Sequence, residues 1–162
     1  MKNTHNNARL VAGFCWTRNA KMADDQNYMD IQIGDFEASW NLKHGEPFAT
    51  RENAIYEVGC IHNVQGLEFD YIGVIIGPDL KYENGKVMTD YKKRANTEKS
   101  LYGLYVLMKQ DKAYYEQLAD TIIRNTYRVL LTRGIKGSYV YACDDNLRKH
   151  LKKIVQSNFI CS

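Results

Sequence analysis

One stretch, Val58 to Gly77, constrains the fold more than any other part of the chain. Two short apolar runs, Val58 to Ile61 and Tyr71 to Ile76, flank a polar turn carrying His62, Gln65, Gly66, Glu68 and Asp70. The second run does not alternate apolar with polar residues, and its β-branched side chains are bounded by glycine. That is the pattern of a strand buried on both faces, as in a parallel sheet between helices. Polar groups at the mouth of such a sheet are where an α/β protein usually places its chemistry. The competing reading is a tight turn whose polar side chains are merely solvated, and pattern alone leaves both open.

The residues of the turn, His-Asn-Val-Gln-Gly-Leu-Glu-Phe-Asp from His62 to Asp70, resemble the motif V region of UvrD-type superfamily 1 helicases. A second match follows downstream. Asn125 to Gly137, Asn-Thr-Tyr-Arg-Val-Leu-Leu-Thr-Arg-Gly-Ile-Lys-Gly, resembles their motif VI, a helix ending in Thr-Arg-Ala/Gly and leading directly into a strand. Within that superfamily the chain is most similar to the Schlafen group 3-like DNA/RNA helicase domain, from about Arg9 onward.

The resemblance implies an α/β, RecA-like, three-layer domain with a mostly parallel sheet, the C-terminal (second) one of a helicase or translocase. It also implies roles for individual residues. Arg133 would be the arginine finger that reaches the γ-phosphate of ATP held by the partner domain. Glu68 would lie near the nucleotide ribose with Gly66 beside it, while His62 and Gln65 would lie toward the nucleic-acid strand or the coupling between sites. Arg18, where motif IV would fall, and Arg128 are weaker candidates for the nucleotide. For both of them, and for Lys136, a surface or structural role competes. Gln65 stands where lysine is commoner and Gly134 where alanine is commoner.

With 162 residues the chain fits one domain able to bury about 70% of its unfolded surface. A net charge of +3, from 22 basic and 19 acidic residues, permits nucleic-acid binding without arguing for it. Cys15, Cys60, Cys143 and Cys161 form no C-x-x-C pair, which speaks against a zinc site or disulfide framework and fits a reducing cytoplasm. No apolar run approaches membrane-spanning length, so no membrane partner is expected.

Taken in order, residues 1–8 read as a polar arm and 9–162 as a single domain. Arg9 to Trp16 reads as a strand, Lys21 to Gln26 as a loop, and Asn27 to Gly34 as a half-buried strand that Phe36 to Leu42 can pair with. Asn41 to Asn53 reads as a connection. The aromatic residues Tyr28, Phe36, Trp40 and Phe48 either build a small core or stack on bases. Asn84-Gly85 marks a hairpin within Lys81 to Met88. Residues 21–53 and 80–99 are thus expected as insertions. The second ends in the most basic segment, with Lys92, Lys93, Arg94 and Lys99, which is either a solvated face or a track for a phosphate backbone. Helices are expected over Ser100 to Ala119 and Asp120 to Thr132, with Gly134 as a left-handed cap. A strand over Ser138 to Cys143 and a helix capped by Asp144-Asp145 complete the chain.

Hydrolysis of ATP needs a phosphate-cradling loop with a lysine, a magnesium-holding carboxylate, and positive charge opposite the leaving phosphates. Only the third is present. The sole Gly-Lys pair, Gly85-Lys86, sits in the hairpin, and Asp79 after Val74 to Pro78 merely mimics a Walker B strand end. ATP and Mg2+ are therefore expected only when the chain is joined to an N-terminal P-loop ATPase domain, in the same or a partner chain, with single-stranded DNA or RNA as the other ligand. Alone the chain is expected to be inactive, and no metal site is expected. The alternative is a stand-alone nucleic-acid-binding module without catalysis. A metal-dependent nuclease built on Asp79, Glu83 and Lys86 is the third and weakest option, because those residues straddle a tight hairpin rather than converging from separate strands.

Overall fold

In the computed structural model the strand expected over Tyr71 to Ile76 runs from Phe69 to Ile76 and lies next to the outermost strand of a six-stranded sheet. The structure describes residues 7–22, 25, 27–42, 47–95, 99–101 and 103–159. Most of the expected polar arm, positions 23, 24 and 26 of the first loop, residues 43–46 of the connection and residues 96–98 of the basic segment lie outside the described residues.

The strands are β1 (Ala8–Ala12), β2 (Ile31–Ile33), β3 (Phe36–Trp40), β4 (Glu57–Gly59), β5 (Phe69–Ile76), β6 (Leu80–Glu83), β7 (Lys86–Thr89) and β8 (Gly134–Ala142). The helices are α1 (Ile61–Val64), α2 (Leu104–Leu107), α3 (Lys112–Leu131) and α4 (Asp145–Phe159). The main sheet has the order β2-β3-β4-β1-β5-β8 and is parallel except for the β2–β3 hairpin. Much of the segment expected as a first insertion therefore extends the sheet. The second hairpin, β6–β7, stands apart, and its turn residues Asn84 and Gly85 both have positive φ, 52° and 77°, as the Asn-Gly signal requires.

The connections β4 to β5 and β5 to β8 both move in the same direction across the sheet, and right-handed crossovers then fall on one face. Val64 of α1, Ile123, Tyr127 and Leu130 of α3, and Leu147 of α4 accordingly pack in one cluster with Val11, Ile72, Val74 and Ile76. The opposite face holds Ala12, Ile31, Ala38, Trp40, Val58 and Ile75, covered by Phe14 and Trp16. No α-helix of the described residues contributes to that second cluster, so the expected three layers are two. The sheet compensates by curling. Ile33 and Phe36 of the β2–β3 hairpin come to face Tyr141 of β8 across an apolar pocket of about 280 Å3 floored by Leu10 and Ile75. Trp40 and Phe48, two of the four aromatic residues that could have stacked on bases, are core residues.

Several boundaries differ from the sequence reading for local reasons. β1 stops at Ala12, and Ile61 belongs to α1 rather than to a strand. The single helix expected over Ser100 to Ala119 is interrupted, because Gly103 takes φ 82° and Asp111 caps a new helix by accepting the Tyr114 N–H at 3.0 Å. That helix, α3, runs through Asp120 without a break. Asp120 pairs with Arg124 one turn on at 2.8 Å, which holds its carboxyl below the usual carboxylate range.

Gly134 is not left-handed. It opens β8, where a Cβ would lie 2.3 Å from the Gly137 carbonyl oxygen, so the bulge between Phe69 and Tyr71 in the β5–β8 register explains glycine where alanine is commoner.

At the other end of β5, Asp79 is fully buried. One carboxylate oxygen accepts from the Tyr127 hydroxyl and the other from Arg94 Nε at 2.7 Å, while the Gly77 N–H donates to the Tyr127 oxygen at 2.9 Å. Burial first, and then the Asp79 charge, push the Tyr127 hydroxyl and the Cys15 thiol above their ordinary pKa values, so both stay protonated. Arg94, expected on the basic surface, is thus only 5% exposed. A carboxylate without solvent requires a cation more than the surface does.

Two substitutions test this packing in urea unfolding. Arg94→Ala leaves Asp79 buried and unpaired and is expected to cost roughly 3–5 kcal/mol, whereas the same change at the exposed Lys93 stays within about 0.5 kcal/mol. Gly134→Ala is expected to cost roughly 1–3 kcal/mol through the displaced bulge; a neutral result would show that the Gly137 carbonyl can move aside freely.

Candidate functional site at the start of β5 and β8

Because β5 and β8 are parallel neighbours, the residues that precede each strand must meet at one corner. The Phe69 N–H donates to the Arg133 carbonyl at 2.8 Å, and Phe69 is in register with Gly134. The Val-Gln-Gly-Leu-Glu turn and the Thr-Arg end of α3 thereby become one surface.

The turn is shaped locally. Asn63 Oδ1 accepts the Cys60 N–H at 2.7 Å and starts the one-turn α1, whose Val64 is fully buried as an anchor. Gln65 closes it by donating its N–H to the Ile61 carbonyl at 2.9 Å. Gly66 then reverses the chain with φ 78° and nothing within 4 Å of where a Cβ would be. Its glycine is needed for this left-handed conformation. Gln65, Gly66, Leu67 and Glu68 are all exposed as a result.

Arg133 is held from three sides. Its Nε donates to the Val129 carbonyl at 3.0 Å, one terminal nitrogen to the Leu67 carbonyl at 3.3 Å, and the other to Thr132 Oγ1 at 3.1 Å. Thr132 is fixed in turn by donating toward the Arg128 and Val129 carbonyls. These bonds orient the guanidinium plane, and a guanidinium has about five N–H groups, so donors remain for an anion at the open side. Lys136 bridges the bulge to Asp70 at 3.0 Å, which gives it a structural task, and Arg128 is exposed on α3.

The remaining predicted residues gather elsewhere. His62 meets the Phe14 ring edge-on at 6.2 Å, and the Phe14 carbonyl accepts the Ala95 N–H at 2.9 Å, so His62 and the segment of Lys92 and Lys93 converge on the loop after β1. Lys92 and Lys93 are exposed on a turn capped by Asp90, whereas Arg94 points inward to Asp79 and does not join them. Arg18 is half-buried on the same loop, beyond the carboxy-terminal end of β1 and away from Arg133. The residues thus divide into Gln65, Gly66, Glu68 and Arg133 at the amino-terminal edge and His62, Lys92, Lys93 and Arg18 toward the carboxy-terminal edge.

The Asp79–Tyr127–Arg94 network was not anticipated from sequence. Its one signal was an aspartate directly after an apolar strand. With both oxygens engaged, Asp79 is not placed to ligate a metal, and Glu83 pairs with Lys81 at 2.7 Å. Among the described residues no three His, Cys, Asp or Glu side chains gather as a metal site, and no helix is long and apolar enough to cross a membrane.

Comparison with known proteins identifies relatives of the chain. An uncharacterized protein of Saccharomyces cerevisiae is 30% identical over 132 residues, a match that takes in 79% of this chain and 28% of the yeast protein. The chain thus spans less than a third of that relative's length. No solved structure matches the chain. The Schlafen group 3, DNA/RNA helicase domain matches residues 1–144, which include both the β5 corner and the α3–β8 junction, and the chain belongs to this helicase-related family.

Proposed function

We propose that the chain is the C-terminal RecA-like half of a superfamily 1 ATP-dependent DNA or RNA helicase or translocase, whose ATP site is completed by a separate P-loop domain. The observation that carries this reading is the hydrogen bond from the Phe69 N–H to the Arg133 carbonyl, which ties Glu68 and Arg133 to one open corner.

That corner offers a carboxylate and an oriented guanidinium, Glu68 directly preceding the Phe69 whose N–H bonds to the Arg133 carbonyl, a donor and acceptor set that fits a ribose hydroxyl and a terminal phosphate. Arg133 stabilises the charge that develops on the transferred phosphoryl group. Glu68 and the Gly66 backbone orient the nucleotide, with Arg128 as a lesser contact, whereas Arg18, at the opposite edge of the sheet, takes no part. Magnesium would be held by the P-loop domain, where it would supply charge neutralisation to the phosphates. His62, Gln65, Lys92 and Lys93 contact the single strand, and α1 with its turn links the two sets.

The test is ATP hydrolysis, with and without single-stranded DNA or RNA, by this chain and by a polypeptide that joins it to a P-loop domain. The isolated chain is expected to be inactive and the joined form active, with Arg133→Ala lowering turnover by roughly 10³-fold or more while thermal melting is unchanged. Unaided hydrolysis by this chain, or a harmless Arg133→Ala, defeats the proposal. Salt-sensitive binding of single strands that ignores nucleotide would favour the stand-alone binding module.

A further inference from the structure

β8 is the outermost strand, and among the described residues it pairs with β5 alone. The Cys143 N–H donates inward to the Ile76 carbonyl at 2.9 Å. Main-chain groups alternate sides along a strand, so Ser138 and Val140 direct their N–H and C=O groups away from the sheet. An unpaired edge of this length is normally protected by charge, proline or a covering segment. Here Tyr139, 70% exposed, and Val140, 44% exposed, present apolar side chains on opposite faces, while Arg148 lies over the Tyr141 ring at 4.6 Å.

Beyond that edge lies a groove of about 490 Å3 between β8 and α4, with Ser138 and Val140 on one wall and Leu151, Lys152 and Val155 on the other. Val155 is 54% exposed although it sits on the apolar stripe of its helix. α4 also carries Arg148, Lys149, Lys152 and Lys153 against a single acidic residue, Asp145. Arg148 is already engaged, pairing with Asp145 at 2.8 Å and donating to the Ala142 carbonyl at 2.9 Å, while Lys152 lines the groove and is exposed. This helix lies past residue 144, where the family match ends, while the β8 wall of the groove lies within it.

We infer that β8 and α4 form a docking site for an extended acidic segment of a partner protein, which adds to the sheet as a seventh strand. Its main chain pairs with Ser138 and Val140, its side chains on one face set apolar groups over Val140 and Val155 in turn with carboxylates toward Lys152, and its side chains on the other face cover Tyr139. Strand addition accounts for apolar exposure on both faces of one edge, which a helix lying on either face would not. A polyanion alone would leave the apolar side chains uncovered.

The test uses a fluorescently labelled synthetic nonapeptide, Val-Thr-Glu-Thr-Val-Thr-Glu-Thr-Val, whose valines and glutamates share one face of a strand, titrated against the chain at low salt. Saturable binding is expected, weakened about tenfold or more by Lys152→Glu and lost when lysine replaces glutamate in the peptide. Amide exchange at Val140 should slow on binding. Val140→Pro removes one outward N–H without touching the β5 ladder and should abolish binding; should that variant unfold, Lys152→Glu and the exchange measurement decide. Absence of binding, or equal binding of the acidic and basic peptides, overturns the proposal. So does displacement of the peptide by a single-stranded oligonucleotide that shows the same Lys152→Glu dependence, which would mark a polyanion site. A dimer of the chain that Val140→Pro dissolves would assign the edge to a second copy and equally overturn it.

Discussion

The pairing of β5 with β8 is the constraint on which the candidate nucleotide corner depends. These strands lie far apart in sequence, with a hairpin and α3 between them, yet their register runs from Phe69 with Gly134 to Ile76 with Ala142. Parallel pairing forces the entry of one strand beside the entry of the other, so two sequence motifs become one surface, joined by a backbone hydrogen bond and by the Lys136–Asp70 pair. The bulge near the start sets the detail. It places Lys136 on Asp70 and crowds Gly134 against the Gly137 carbonyl, and it leaves the Leu67 carbonyl where Arg133 can reach it. A register slip of one residue would reverse which side chains face α3 and so empty the core on that side.

At the other end of β5 the restraint is electrostatic. Asp79 fixes Tyr127 of α3 and Arg94 of the segment after β7, and Tyr127 in turn accepts the Gly77 N–H. The helix that ends in Arg133 is thereby tied to the far end of the very strand that begins beside Arg133. Such buried pairs add little over an apolar core of equal packing, but the loss of one partner is costly. Their effect is to make the position of α3 specific, and the rotation of α3 decides whether Thr132 and Arg133 meet the turn after α1.

What could be read from sequence follows the range of the interactions involved. The Asn84-Gly85 hairpin was legible because both turn residues must accept positive φ, a requirement local to two positions. The β5 strand was legible because burial on both sides leaves no polar residue along most of its length. The division of α3 was misplaced because the helical period runs through Asp120, and this aspartate pairs with Arg124 of the same helix and accepts from the distant Thr89 hydroxyl rather than capping. Arg94 was assigned to the surface because it follows two lysines, and nothing within the run distinguishes it. Its burial depends on an aspartate fifteen residues earlier. That no second helical layer forms among the described residues is subtler still, since it follows from the direction of two crossovers and from a sheet that curls enough for its first hairpin to face its last strand.

Charge illustrates the same point. A net charge of +3 says little, because the cations are not equivalent. Arg9 and Arg94 are buried, the first bonded to the Phe48 and Ala49 carbonyls and the second to Asp79, and neither adds much to the field outside. The cations that face solvent fall on separate surfaces, Lys92 and Lys93 near Phe14 and the lysines of α4 beside β8. Arg133 belongs to neither group. Its guanidinium is braced by two main-chain carbonyls and a hydroxyl, and among the described residues no carboxylate is bonded to it. That distinction matters chemically. An arginine paired with a carboxylate has its charge largely compensated before an anion arrives, whereas one oriented by neutral dipoles keeps its full charge in a fixed direction. Preorganised positive charge of this kind lowers the energy of a developing anion without reorganisation at the moment of reaction. The corner of β5 and β8 thus combines orientation with uncompensated charge, a combination that the buried Arg94 lacks.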